Sequence, residues 1–216
     1  MKSAASEAVI TYQKALECLV SSGGTDEIEW QRSRSSRSFG EEEFLREVAW
    51  VILNSGFREE VVRSKFDYIS LCFFDWSSAQ EIVEARDQCI ASALLRFGHY
   101  GKISAIAEVA QTVEDHGFSK FRSTVLKDPI GELRKLPHIG PVTVWHLAKN
   151  LGFNVAKPDR HLVRLAGEHG YDCVHSFCQE IAECTGDEIS VIDLVLWRYM
   201  ANRKILTNSQ KLHSST

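Results

Sequence analysis

The chain has 216 residues, 44% hydrophobic and 25% charged, an ordinary globular mix with enough apolar material for one large domain or two intergrown lobes. No apolar run is long enough for a signal peptide or a membrane span. The six cysteines, Cys18, Cys72, Cys89, Cys173, Cys178 and Cys184, form no C-x-x-C pair and no zinc spacing, so a disulfide framework and a zinc module are set aside and an intracellular protein (cytoplasm or nucleoid) with buried thiols is expected.

Residues 4–20 read as the first helix. Ala8, Tyr12, Ala15, Leu16 and Leu19 recur at helical spacing, and Gly23-Gly24 ends it. Residues 25–40 are polar, with Arg32, Arg34 and Arg37 among serines, and read as a mobile linker. Residues 41–54 form a helix with a charged first turn and the apolar run Val48-Ala49-Trp50-Val51-Ile52-Leu53. Asn54-Ser55-Gly56-Phe57-Arg58 breaks it, and residues 59–66 resume it. The segment from Ile69 to Trp76 is apolar and aromatic, and its brevity leaves strand or helix end open. Ser77 or Ser78 caps a helix over 79–97, with Ala85, Cys89, Ala93 and Phe97 four residues apart. Gly98-His99-Tyr100-Gly101 is a turn, and a helix over 102–116 follows, with Ile103, Ile106, Ala107, Ala110 and Val113 inward.

Pro137-His138-Ile139-Gly140 reads as a tight turn between two helices, the first ending near Leu136. Pro cannot continue a helix, and Gly takes backbone angles that other residues avoid. Pro141 suits the first turn of the next helix, which Gly152 ends. The amides of Gly140, Val142 and Thr143 would lie at the positive end of that helix, where a phosphate can bind without its sequence being read. An ordinary helical hairpin is the alternative. Lys157-Pro158-Asp159-Arg160-His161 then delivers Asp159 to the start of a helix over 160–169, an N-cap position that Asp fills well. Further helices follow: one marked by Val174, Phe177, Cys178 and Ile181, then one over 189–200, with the last dozen residues expected to be disordered. No stretch shows sustained period-two alternation, so the fold should be all-α.

Taken together, L-P-x-I-G-P-x-T and P-D-x-H-x-x-R-L resemble the helix-hairpin-helix DNA glycosylase superfamily, whose hairpin is followed by a Gly/Pro-rich loop and an aspartate. The pattern G-x-x-G-K-x-x-x-I at residues 98–106 resembles the segment before the family's hairpin. The resemblance is sharp over 133–165 and diffuse over the rest of 41–200. It implies two helical lobes with a central cleft. The expected parts are an N-terminal helix and polar loop (1–40), and a lobe (41–155) that contains the hairpin (133–151). The aspartate loop and C-terminal helices (156–205) pack with the N-terminal helix, and a tail (206–216) follows. It implies double-stranded DNA as partner, a monomer, base flipping, and Asp159 as the catalytic carboxylate.

The same resemblance makes Pro137, His138, Ile139, Gly140, Val142, Thr143, Lys149 and Arg160 the expected DNA contacts. Asn54 and Phe57, with Trp50 and Trp145, are the candidates for filling the gap in the duplex or lining the base pocket. His161 and Arg164 are expected to be structural. Members that also cut the strand carry a lysine two residues after the turn's glycine, where this chain has Val142, so a monofunctional enzyme that uses water is implied. Some members hold an iron–sulfur cluster on four cysteines. Only Cys173, Cys178 and Cys184 follow Asp159 here, so no cluster and no metal is expected and these cysteines read as packing residues. Hairpins of this kind can also hold a monovalent cation through backbone carbonyls.

Formal net charge is −4, yet residues 117–164 hold nine Lys/Arg against three Asp/Glu, and residues 198–216 hold four basic residues and no acid. That distribution fits a DNA footprint on one face, with a solvated helix surface as the alternative. Alkylated purines are the favoured substrate class, by stacking and cation–π attraction in an aromatic pocket. A modified pyrimidine, including bulky phage bases, and a non-catalytic DNA-binding module are the alternatives.

Overall fold

The computed structural model describes residues 4–34 and 39–213, with side chains for 7–33 and 39–201. Among them all regular structure is helical. The helices are α1 (Ala4–Ser21), α2 (Thr25–Arg34), α3 (Glu41–Asn54), α4 (Glu59–Cys72), α5 (Ala79–Glu84), α6 (Arg86–Leu94), α7 (Tyr100–His116), α8 (Phe118–Lys127), α9 (Pro129–Leu133), α10 (Thr143–Asn150), α11 (Arg160–Glu168), α12 (Val174–Thr185) and α13 (Ile189–His213). The chain divides into two compact units, one of Met1–Arg37 with Gly152–Thr216 and the other of Ser38–Leu151.

The unit of Ser38–Leu151 is built on α3 and α7. Phe44, Leu45, Val48, Ala49, Val51, Ile52 and Leu53 on α3 are buried, and α7 buries Ile103, Ala105, Ile106, Ala107, Val109, Ala110 and Val113 among α3, α5, α6 and α8. Burying one such large aliphatic side chain contributes roughly 1.5–3 kcal/mol, so these two faces outweigh any propensity term in placing the helices. Phe39, Phe44 and Phe121 carry the packing on to α8. Gly117, at φ 73°, supplies the left-handed residue that lets α8 follow α7 directly.

The unit of Met1–Arg37 and Gly152–Thr216 is built on α13, which packs against α1, α2, α11 and α12. Ala8, Tyr12, Ala15 and Leu19 of α1 meet Val191, Ile192, Val195 and Leu196 of α13 and Phe177 and Ile181 of α12 in one apolar cluster. The Tyr12 hydroxyl donates to Asp187 Oδ2 at 2.7 Å. Burial, then this hydrogen bond, holds the phenol far above its usual range.

Several local expectations change. Residues 25–34 are helical rather than a mobile linker, because Ile28 and Gln31 are buried and ion pairs Arg32–Asp187 (2.8 Å) and Arg198–Glu27 pin the segment to its unit. Arg37 lies outside the described residues. The helix expected over 79–97 is two helices, because Ala85 leaves the helical region at φ −106°, ψ 20°. The ambiguous apolar stretch is the end of α4 followed by a left-handed turn: Phe74, Asp75 and Trp76 have φ of 55°, 49° and 68°. Buried Trp76 anchors this uncommon backbone, stacking on Phe73 and donating from Nε1 to Ser70 Oγ at 3.0 Å. The first hairpin helix ends at Leu133 rather than Leu136. The last helix runs to His213 instead of ending near Met200, since no Gly or Pro interrupts that stretch.

Candidate functional site

The hairpin begins at α9, whose Pro129 sits at N1 and whose N-cap Asp128 accepts the Gly131 amide at 3.0 Å. Leu133, Leu136 and Ile139 are buried, as are Val144, Leu147 and Ala148 of α10, which packs against α9. The tightest point of the turn is taken by His138, at φ 59°, not by Gly140. A histidine tolerates this left-handed conformation better than a β-branched residue would. Val144 N–H donates to Gly140 O at 3.0 Å and opens the helical ladder. The amides of Val142 and Thr143 precede that bond and lie at the helix mouth.

The expectation of three free amides is corrected at Gly140. Its N–H donates to Thr143 Oγ1 at 2.7 Å, and the same hydroxyl lies 3.3 Å from Gly140 O, as a donor. The side chain three residues on closes the turn. Ile139 is buried, so its side chain is an anchor and offers a ligand only its backbone. Pro137 is half-buried, while His138, Pro141 and Val142 are exposed. Trp145 and Lys149 are half-buried on α10 and already engaged by other groups.

Beside the turn stands a second group of residues of the same unit. His138 faces Gly101: a Cβ on Gly101 would lie 3.6 Å from His138 Nε2 and 3.7 Å from His99 Cε1. The His99 ring meets Phe57 edge-on at 6.0 Å between centroids, and Phe57 packs on Phe97 at 5.1 Å. Phe57 nevertheless remains 41% exposed and Tyr100 64%. The α3–α4 loop, the α6–α7 turn and the hairpin therefore share one surface of aromatic rings, histidines and helix-mouth amides.

Two other candidates are turned elsewhere. Asn54 is half-buried and its Nδ2 donates back to Trp50 O at 3.1 Å. Trp50 meets Phe66 edge-on at 5.0 Å and the Arg63 guanidinium at 5.4 Å. Both partners come from α4, so Trp50 takes part in the packing of α3 on α4.

In the other unit, Asp159 caps α11. Its Oδ1 accepts the amides of His161 at 2.8 Å and Leu162 at 2.9 Å. Oδ2 accepts no hydrogen bond among the described residues. The carboxylate is half-buried, so its orientation is fixed while one oxygen stays available. The loop before it is pinned at two points to the first turns of α13. Asn154 Oδ1 accepts the Ser190 amide at 3.0 Å, and buried Asp193 Oδ1 accepts the Lys157 amide at 2.8 Å. Arg160 is exposed beside Asp159, His161 is half-buried, and Arg164 pairs with Glu168 at 3.5 Å on the exposed face of α11.

No family model matches this chain, and no curated protein matches it. Among solved structures it is similar to the Methanocaldococcus jannaschii 8-oxoguanine glycosylase/lyase in complex with a 15mer DNA containing 8-oxoguanine. The two are 23% identical, with a TM-score of 0.55, over 85% of this chain and 94% of that one. What they share is the all-α fold.

Asn154, Asp193 and His99 take part in these arrangements without being among the site residues expected from sequence. Asp193 carried a usable signal, as the single acid inside Ile189-Ser190-Val191-Ile192-Asp193-Leu194-Val195-Leu196-Trp197. A carboxylate in such a run must be buried and paired. The thiols differ from expectation: Cys178 is buried, but Cys173 and Cys184 are exposed and are not packing residues. Amide and hydroxyl donors of Ser176 hold the Cys173 thiol below its ordinary range, against the opposing effect of burial.

Proposed function

We propose that the chain is a DNA N-glycosylase that hydrolyses the bond between a flipped-out base and its sugar. The observation that carries this reading is the Asp159 carboxylate, anchored through Oδ1 to two backbone amides, with Oδ2 unbonded among the described residues. Glycosidic cleavage builds positive charge on the sugar in an oxocarbenium-like transition state. A carboxylate fixed before the reaction begins stabilises that charge without reorganising, and it can orient or deprotonate the attacking water. The hairpin supports the reading from the DNA side, with Val142 and Thr143 amides for a phosphate and exposed Phe57 for the stack. Hydrolysis by water, leaving an abasic site, rests on Val142 standing where a strand-cutting relative carries lysine. The solved structure of similar fold is a glycosylase/lyase, so borohydride trapping belongs in the test. No trapped adduct is the expected result.

The substrate class we favour is a damaged purine, alkylated first and oxidised second, acted on by a monomer without an iron–sulfur cluster on double-stranded DNA. The test is base release from untreated, alkylated, oxidised, uracil-containing and phage-modified DNA, identified by mass spectrometry, with Asp159→Asn alongside. The wild type releases one class. The variant loses on the order of 10²–10⁴-fold in rate while duplex affinity stays within about threefold. Tight duplex binding with no base released from any DNA would instead establish a non-catalytic DNA-binding module.

A further inference from the structure

Lys102 is the one lysine among the described residues that is buried, at 4% exposed. Its placement needs an account, because lysine is almost never fully buried unless paired. It lies in the first turn of α7, where the positive end of the helix disfavours a cation. Burial pushes its ammonium below the ordinary lysine range. Both effects oppose the charge, and the compensation comes from another helix.

The Lys102 Nζ donates to the carbonyl of Ile52. Ile52 O is one of the last four carbonyls of α3, which have no partner inside the helix and lie at its negative end. The neighbouring Val51 O accepts from Ser55 N–H at 3.2 Å, and Asn54 O accepts from Phe57 N–H at 3.1 Å. Lys102 therefore completes the C-terminal cap of α3 from outside. Its ammonium also stands 5.6 Å from the Phe57 ring centroid, a favourable cation–π contact in a desolvated setting. One side chain thus grips the end of α3 and the aromatic ring three residues beyond it.

We infer that Lys102 is a positioning residue that holds the α3–α4 loop in the shape that presents Phe57 as a preformed wedge for the DNA stack. The inference rests on the proposed glycosylase reading for the wedge, and on geometry alone for the clamp. Phe97 and His99 both pack on the ring, and Lys102 ties its loop to the helix end. A wedge ordered in advance loses no conformational entropy when the base leaves the stack.

The test separates clamp from wedge. Hydrogen exchange of the Ser55 and Phe57 amides needs no DNA, and a duplex with 2-aminopurine reports unstacking by fluorescence. Lys102→Met keeps the length and apolar body of the side chain without the ammonium. It should speed exchange of those amides by about tenfold or more and reduce unstacking to the level of Phe57→Ala. Duplex affinity should stay within about threefold, because phosphate contacts and not the wedge dominate it. If Lys102→Met does not fold, Lys102→Gln, which keeps an N–H donor but no charge, is read by the same two measurements. Unchanged exchange would overturn the clamp. Faster exchange with wild-type unstacking would overturn the link between clamp and wedge. If Phe57→Ala unstacks DNA as the wild type does, the wedge is overturned, while base release separately decides the glycosylase reading and the exchange measurement decides the clamp.

Discussion

In the Asp159 loop the carboxylate is oriented by amides two and three residues further along the chain. At the α3–α4 loop, Phe57 is oriented by Phe97, His99 and Lys102, which come from a different helix pair. The first is local capping: once α11 forms, Asp159 has one comfortable orientation. The second is tertiary packing, so Phe57 has no fixed direction until α7 docks on α3. Yet the location of the Asp159 loop is long-range, because Asn154 and Asp193 join it to α13 across the sequence. Orientation and location of a side chain are therefore separable, and the two regions divide them differently.

Three experiments sharpen or break this contrast. The largest effect is expected at Asp193. Asp193→Leu leaves the Lys157 amide without its buried acceptor, which costs about 1–3 kcal/mol and should lower excision by at least about tenfold, since small misplacements are expensive in a positioned site. Asp193→Asn keeps an acceptor oxygen and should recover most of the rate. Wild-type excision by the leucine variant would mean that capping alone locates the carboxylate.

A smaller effect is expected at Thr143, whose hydroxyl closes the hairpin onto Gly140. Thr143→Val should cost about 1 kcal/mol of stability, the net worth of one such hydrogen bond, seen as a lowered denaturation midpoint. Duplex affinity should fall a few-fold, if the amides of Val142 and Thr143 need this closed turn to meet a phosphate. Unchanged affinity would remove the turn from the DNA contact.

The smallest concerns pH. Burial, followed by its 2.5 Å hydrogen bond to Glu180, raises the Tyr171 phenol from its ordinary 10.0 to about 12. The folded protein therefore holds this proton more tightly than the unfolded chain. The stabilisation is complete below pH 10 and is lost as pH rises through about 12. Comparing Tyr171→Phe with wild type in alkaline denaturation should show a shallower decline in the variant over that window. Parallel curves would show that the phenol does not titrate with folding.

The residues 133–165 were legible because their geometry is made by short-range rules. Pro141 stands just before a helix that begins at Thr143 rather than inside its first turn, Gly152 stands just past its end, and Asp159 caps the next, each through backbone angles or amides within a few positions. The left-handed residue of the turn was read at Gly140 but is His138, since Thr143 holds Gly140 in place and nothing in local propensity announces that bond. Residues 25–34 were misread for a related reason. Their composition is polar, and what makes a helix there worth forming is the burial of Ile28 and Gln31 in a core assembled from distant segments, with ion pairs to Asp187 and Arg198 far along the chain.

The amino-acid sequence by itself determined the all-α class, the hairpin and the capping aspartate, because helix periodicity, proline, glycine and N-caps act over one or two turns. Only the tertiary structure decided that Trp50 packs while Phe57 stands exposed, that Asp193 pins the Asp159 loop, and that Lys102 is buried against the end of α3. Each of these depends on which helix faces are brought together, and burial is a property of that meeting, not of the residue.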